Sequence, residues 1–268
     1  MDAARNPPDT NDALLLRADR DHVATLTLNR PAARNALSLG LMTALEKALA
    51  DIAHDTSVKA VIVAGNGPVF CAGHDLKEIR ANPGRQNYDA LFAQCSRLMT
   101  AIVRLPKPVI AQVHGVATAA GCQLVASCDL AVAATDARFA TPGVNIGLFC
   151  STPMVALSRA VPRKVAMEML LTGDLMDAEA AKAAGLVNRI VPPGELAAQT
   201  QALAAKIAAK SPYVLAIGKE AFYAQAEMSL DAAYAYASQT MAKNMLARDA
   251  EEGIDAFIQK RPPVWQGR

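Results

Sequence analysis

The strongest constraint on this chain is a local order that repeats: a short, almost unbroken apolar run, a glycine turn, then a helix-like stretch. Val58-Lys-Ala-Val-Ile-Val-Ala64 breaks at Gly65-Asn-Gly-Pro68 and leads into Cys71-Ala-Gly-His-Asp75. Pro108-Val-Ile-Ala-Gln-Val-His114 leads through Gly115 into Ala119-Ala-Gly-Cys-Gln123 and an apolar helix from about Cys122 to Ser127. A third pass begins at Asp129-Leu-Ala-Val-Ala-Ala134 and Phe139-Ala-Thr-Pro142. Apolar runs this short read as strands buried on both faces, and strands alternating with helices predict a wound α/β layer. No sequence string repeats, so an array of near-identical units is excluded.

The flanks fit around that layer. Val23, Leu26 and Leu28 predict an edge hairpin over Ala13 to Asn29, stopped by Asn29-Arg30-Pro31. Ser38 is an N-cap for a helix whose Leu41, Leu45, Leu49 and Ile52 form one stripe on a 3.6-residue period. The path from Ile79 to Asn87 has no assignment. After about residue 195 only helices are predicted: one with Leu196, Leu203 and Ile207, one from Ser211-Pro212, and one over Asp249 to Lys260 that ends at Arg261-Pro-Pro263. The expected organisation is a loose tail at 1–12, an α/β core at 13–195, and a helical region at 196–268 that caps the same protomer or its neighbour.

Composition narrows the function classes. With 27 Lys+Arg against 25 Asp+Glu, no global field draws the chain to nucleic acid or to an anionic membrane. The longest apolar runs fall short of the ~20 residues that span a bilayer, so a soluble protein is expected. Residues 1–12 lack the apolar segment of a signal peptide. Cys71, Cys95, Cys122, Cys128 and Cys150 are odd in number and show no metal-ligand spacing with the histidines, which predicts reduced thiols, a cytoplasmic location and no structural metal.

Gly73 and Gly121 let the backbone turn sharply, and each turn opens a helix whose first N–H groups lack partners. Two such donors aimed at one oxygen form an oxyanion hole. Beyond the physics, the order Asn29-Arg30-Pro31, Asn35-Ala36-Leu37, Phe70-Cys-Ala-Gly-His-Asp75, Pro108-Val-Ile-Ala, Gly121-Cys122, Cys128-Asp129, Phe139-x-x-Pro142, Leu171-Thr-Gly-Asp174, Ala183-x-Gly-Leu-Val187 and Phe257-Ile-Gln-Lys260 resembles the crotonase, or enoyl-CoA hydratase/isomerase, superfamily over about residues 15–262. Gly-His-Asp-Leu-Lys-Glu, Ala-Thr-Ala-Ala-Gly-Cys-Gln-Leu-Val-Ala-Ser-Cys-Asp and Gly-Leu-Phe-Cys-Ser-Thr-Pro resemble its domain-containing-protein-three subgroup.

The resemblance implies a ββα spiral with a C-terminal helical trimerisation region. It further implies an acyl-CoA substrate whose coenzyme A is part of the substrate rather than a cofactor, and a homotrimer or a homohexamer of paired trimers. Its oxyanion donors fall on the backbone N–H groups of His74 and Ala120. The segment His74 to Lys77 would line the nucleotide arm, Ala72 is a further coenzyme A contact, and Phe257 and Lys260 match positions that help hold the adenine and phosphates. The family's frequent lysine after Asn-Arg-Pro is Ala32 here, which leaves Arg34 as the substitute phosphate contact.

The acids depart most. The two positions where family hydratases carry glutamates are Gln123 and Gly143. An amide has no useful pKa for general-base work and glycine has no side chain, and each lost participant forfeits typically ~10²–10⁴ in rate. His74 is the first candidate to replace them, because an imidazole titrates near ~6.5. Asp75 and Glu78 read as helix-start and solvated charges, Cys122, Cys128 and Cys150 as small core residues, and Asn145, Ser151 and Thr152 as turn formers near the second lost acid. Three functions compete: a thioester enolate-stabilising enzyme with weak or lost hydratase activity, a malonyl-type decarboxylase, and a non-catalytic acyl-CoA-binding protein. Similarity to methylmalonyl-CoA decarboxylases in Gly-His-Asp and Thr-Pro-Gly-Val-Asn-Ile-Gly favours the second; Phe149 and Cys150, where those enzymes place a tyrosine, weigh against it.

Overall fold

The computed structural model describes residues 13–268, and the expected tail at 1–12 lies outside the described residues. Strands β1 (Leu15–Arg20) and β2 (Val23–Leu28) form the hairpin, in antiparallel register from Leu15 opposite Leu28 to Arg20 opposite Val23. Only β1 is an edge. β2 pairs parallel with β3 (Ala60–Gly65), and β4 (Val109–Val113), β6 (Leu130–Ala134) and β9 (Arg189–Val191) continue a six-stranded sheet in the order β1-β2-β3-β4-β6-β9. A second sheet, β5-β7-β8, joins β5 (Val116–Thr118), β7 (Arg138–Ala140) and β8 (Met176–Asp177).

The near-continuous apolar runs follow from burial on both faces. Along β3, Val61 and Val63 point into the larger core, while Ala60, Ile62 and Ala64 point into a smaller one capped by Leu196, Leu203, Ala204 and Ala208 of α8 (Leu196–Ala208). The larger core is filled by α1 (Leu39–His54), α3 (Arg85–Arg104) and α4 (Ala120–Ser127). Ser38 caps α1 by accepting from the Leu41 N–H at 3.2 Å, and Leu41, Leu45, Leu49 and Ile52 are its buried stripe.

The segment with no assignment, Ile79 to Asn87, is the end of α2 (Leu76–Ala81), a bend and the start of α3. Helix α4 begins at Ala120, before the expected Cys122, because Ala119 alone makes the turn, with φ 49° and ψ −118°. The chain continues through α5 (Pro153–Ala160), α6 (Arg163–Thr172) and α7 (Ala178–Ala183). After α8 come α9 (Pro212–Gln225), α10 (Leu230–Met245) and α11 (Arg248–Ile258), which pack largely on one another. No residue of α9 or α10 is buried, and Leu230, Tyr234, Met241 and Leu246 are exposed along this unit. No described helix is long and apolar enough to cross a membrane.

Candidate active site

The two glycine turns are built as one object. The residues before the first turn run beside β5, the strand that feeds the second: Phe70 N–H donates to the His114 carbonyl, Cys71 N–H to Val116, and Thr118 N–H back to Cys71, at 3.0–3.1 Å. Gly121 then sits against the Cys71 carbonyl, where a Cβ would come within 2.2 Å of the oxygen. Gly73, at φ +96°, faces Ala119 and Ala120; a Cβ there would lie 2.9 Å from the Ala119 Cβ and 3.4 Å from the Ala120 nitrogen. Only glycine permits this approach at either position.

The donors are left free by that packing. Leu37 N–H bonds the Gly73 carbonyl and Asp75 N–H bonds Leu37, so His74 N–H lies between two bonds and makes none among the described residues. Ala120 opens α4, and its N–H likewise has no partner, while Gln123 N–H is the first to close onto Ala119. Ala119 is held in its left-handed backbone conformation by its N–H bond to the Ala140 carbonyl at 2.9 Å. Strain of this kind costs about 1–3 kcal/mol and persists only where neighbours over-determine it.

Asp75 caps α2 by accepting from the Lys77 and Glu78 N–H groups and pairs with Arg30 at 2.8 Å. The Arg30 hydrogen bond, with help from those caps, holds its carboxyl below the usual range. Glu78 accepts from the Leu39 N–H at 3.0 Å, so both acids are engaged in local structure. Beyond stopping the hairpin, Asn29-Arg30-Pro31 is braced by Asn35: the buried Asn35 side chain accepts from the Arg30 N–H and donates to the Asn66 and Val69 carbonyls. Arg34 is exposed, and its carbonyl accepts from the Ala72 N–H, fixing it beside the first turn.

His74 points its ring inward. Both ring nitrogens are sealed from solvent without a geometrically sound hydrogen bond, and the ring stands edge-on to Phe92 at 5.7 Å. Desolvation pushes its pKa down, opposed by the Leu37 backbone and the Glu78 charge, so the imidazole is neutral at pH 7. Gln123 is 4% exposed; its Oε1 faces the Cys95 Sγ at 3.7 Å, and its side chain lines a cavity of about 980 Å³ that Thr152 also lines.

At Gly143 the space for a side chain is taken. A Cβ there would meet the Leu148 carbonyl at 2.7 Å and the Cys150 Sγ at 2.9 Å. All five cysteines are free and buried, with burial pushing Cys71, Cys95 and Cys122 up to about 12 and Cys128 and Cys150 also upward, so none is a ready thiolate. Ser151 closes a turn onto Phe149, and Asn145 is exposed beside Gly173. Leu76 and Lys77 are exposed on the first turn of α2. Phe257 and Lys260 lie exposed at the end of α11, whose main packing is on α9 and α10, and no hydrogen bond joins them to the two turns.

The family profile described as enoyl-CoA hydratase/isomerase matches residues 19–268. The chain is 48% identical over 258 residues to enoyl-CoA hydratase domain-containing protein 3, mitochondrial, of Rattus norvegicus, covering 96% of this chain and 86% of that one. It is 50% identical over 245 residues to the Homo sapiens protein of the same name, covering 91% and 81%. A solved enoyl-CoA hydratase from Mycobacterium smegmatis superposes with TM-score 0.93 at 56% identity, covering 95% of this chain and 99% of that one. The human domain-containing protein 3 structure superposes at 0.92 with 48% identity, covering 94% and 100%. These likenesses establish the crotonase-type α/β spiral. They also correct the cytoplasmic expectation: the rat and human relatives are named mitochondrial, and free buried thiols suit that compartment as well as the cytoplasm.

Proposed function

The chain belongs to the enoyl-CoA hydratase/isomerase family, an enzyme family acting on acyl-CoA, and from that premise we propose that it binds an acyl-CoA thioester and stabilises its enolate between the N–H groups of His74 and Ala120. The observation that carries this reading is the stitched pair of turns, in which both N–H groups are unpartnered and Gly73 packs against Ala119 and the Ala120 nitrogen. In this reading Arg34, Ala72, Asp75, Leu76 and Lys77, in and beside the first turn, line the nucleotide arm. Coenzyme A enters as part of the substrate, and no further cofactor is invoked.

Hydration is weak or lost in this proposal. Splitting water across a double bond uses a general base and a general acid, and the two positions hold a buried amide and a glycine whose side-chain space is filled. The exposed apolar residues of α10, with Phe257 on α11, support assembly into trimers whose α11 ends complete a neighbouring site.

One observation favours decarboxylation as a second reading. The residues around the two turns offer a neutral, desolvated His74, and of the nearby carboxylates Asp75 is paired with Arg30 while Glu78 accepts from the Leu39 N–H. A malonyl-type carboxylate placed there loses hydration; its C–C electron pair passes to the thioester as carbon dioxide leaves, and the enolate is then protonated from water. The test is to follow crotonyl-CoA by its enoyl-thioester absorbance and carbon dioxide release from methylmalonyl-CoA in parallel. Fast hydration overturns the lost-hydratase reading, and failure of any acyl-CoA to bind below millimolar concentration overturns the whole proposal.

A further inference from the structure

Gln123 stands where family hydratases carry a glutamate, and the residue that holds it makes it a donor. A primary amide has one acceptor oxygen and two N–H donors. The oxygen is taken: Cys95, a buried residue of α3, which packs on α4, directs its Sγ at Gln123 Oε1 at 3.7 Å. Cys95 is fully buried, and desolvation pushes its pKa up to about 12, so the thiol keeps its one proton and has it to donate. Cys128 is a contrast, because its S–H goes to the Leu124 carbonyl one turn back at 3.2 Å, whereas that of Cys95 crosses to another helix. Gln123 Nε2 has no partner among the described residues, and the side chain, 4% exposed, lines the cavity.

Helical side chains lean toward the helix N-terminus and cover the turn before their own Cα. Gln123, three residues after Ala120, therefore lies over the turn that Ala120 opens, about 4.5 Å along the axis from it. Resting on the thioester-binding reading above, we infer that Gln123 donates to an oxygen carried on the acyl Cβ, so that the site selects 3-oxoacyl thioesters, with Cys95 as the positioning residue that turns the amide. The Cβ is two bonds from the thioester carbon, so an oxygen held at the Ala120 N–H brings it beside the amide. When such a thioester enolises, its α proton passes to solvent and the bonding pair spreads over the C1 and C3 oxygens. The His74 and Ala120 N–H groups meet the first oxygen and Gln123 meets the second, and hydrogen bonds to a charged oxygen are roughly twice as strong as neutral ones. A carboxylate at this position would repel the second oxygen.

The test is calorimetric binding of acetoacetyl-CoA and butyryl-CoA to the full chain, with the pKa of bound acetoacetyl-CoA read from its near-ultraviolet enolate absorbance. The two ligands share a carbon chain and differ in the C3 oxygen. Wild type is expected to bind acetoacetyl-CoA at least about tenfold tighter, a comparison that needs no variant to fold. Gln123→Met, close in size and without a donor, is expected to weaken acetoacetyl-CoA about tenfold, raise its bound pKa by about one pH unit and leave butyryl-CoA within about twofold. Cys95→Ala should weaken acetoacetyl-CoA alone by about two- to fivefold, and Cys95→Ser, which leaves a similar void but keeps an O–H donor, should restore it. Equal wild-type affinity for the two ligands, or equal losses for both in Gln123→Met, overturns the donor assignment while leaving the thioester reading standing. Indistinguishable Cys95→Ala and Cys95→Ser variants overturn the positioning role of Cys95. Failure of acetoacetyl-CoA, butyryl-CoA and free coenzyme A alike to bind removes the thioester reading itself.

Discussion

Gly73 lies against Ala119 so closely that a methyl group on it would come within 2.9 Å of the Ala119 Cβ. That contact packs the residue before His74 against the residue before Ala120, and it depends on two backbones that are both at positive φ. Gly73→Ala therefore acts twice: strain and overpacking each destabilise by about 1–3 kcal/mol, and the two donors separate. Enolisation of acetoacetyl-CoA, read by the near-ultraviolet absorbance of the bound enolate, is expected to fall ~10²–10³. Gly84→Ala is the control, since Gly84 is also at positive φ but a Cβ there meets nothing within 4 Å. It should lose stability and keep the enolate signal.

The two lost acids are not equivalent. Gln123→Glu is isosteric, so it should fold and raise the hydration of crotonyl-CoA by up to ~10²-fold, the lower range for one positioned acid–base group. Gly143→Glu should not raise it, because its Cβ must displace the Leu148 carbonyl and the Cys150 Sγ, at about 1–3 kcal/mol of stability. Adding Cys150→Ala relieves the sulfur contact and leaves the carbonyl. Hydration rates of the three variants, measured beside their thermal melts, decide this; a rate gain from Gly143→Glu alone would show that the loop yields.

What sequence revealed here was decided by short-range pattern. Strands β3, β4 and β6 were legible because burial on both faces forces unbroken apolar runs, and the first turn of α1 because Ser38 caps it. Strand β5 was hidden between Gly115 and the second turn, three residues with no pattern of their own. The stripe Leu91, Cys95, Leu98 and Ile102 was present in α3, but its start at Arg85-Gln-Asn-Tyr-Asp89 is polar and carries no side-chain cap. The filling of the Gly143 space by Cys150 is a matter of loop path, which no spacing rule encodes.

The burial of His74 has a pH consequence. Its folded pKa is depressed below the unfolded value near ~6.5, so as pH falls through that value the unfolded chain takes up a proton that the native state refuses. Stability is therefore full above the unfolded pKa and declines as pH falls from it toward the folded pKa. His74→Gln should remove this component, so the difference in unfolding free energy between wild type and variant is flat above about pH 7.5 and slopes below ~6.5. Denaturant melts at several pH values check it. A difference that does not change with pH would mean that the ring is protonated or paired in the native state.

Lys219 and Asp129 are 90 residues apart, and the Lys219 side chain that joins them is 7% exposed. Asp129 also accepts from the Val109 N–H at 2.7 Å, so the pair ties α9 to the start of β4 as well as to the turn after α4. Lys219→Met leaves a largely buried carboxylate with only a phenol and an amide as donors, and should destabilise the chain by about 3 kcal/mol or more. Lys219→Met with Asp129→Asn removes both charges and should recover part of that loss, a coupling of about 0.5–3 kcal/mol. Hydrogen exchange distinguishes a local latch from a general weakening: amides of α9 should lose protection in Lys219→Met before those of β3 and β4, because α9 carries no buried residue of its own to hold it in place. Uniform loss across the sheet would assign the pair to the core instead.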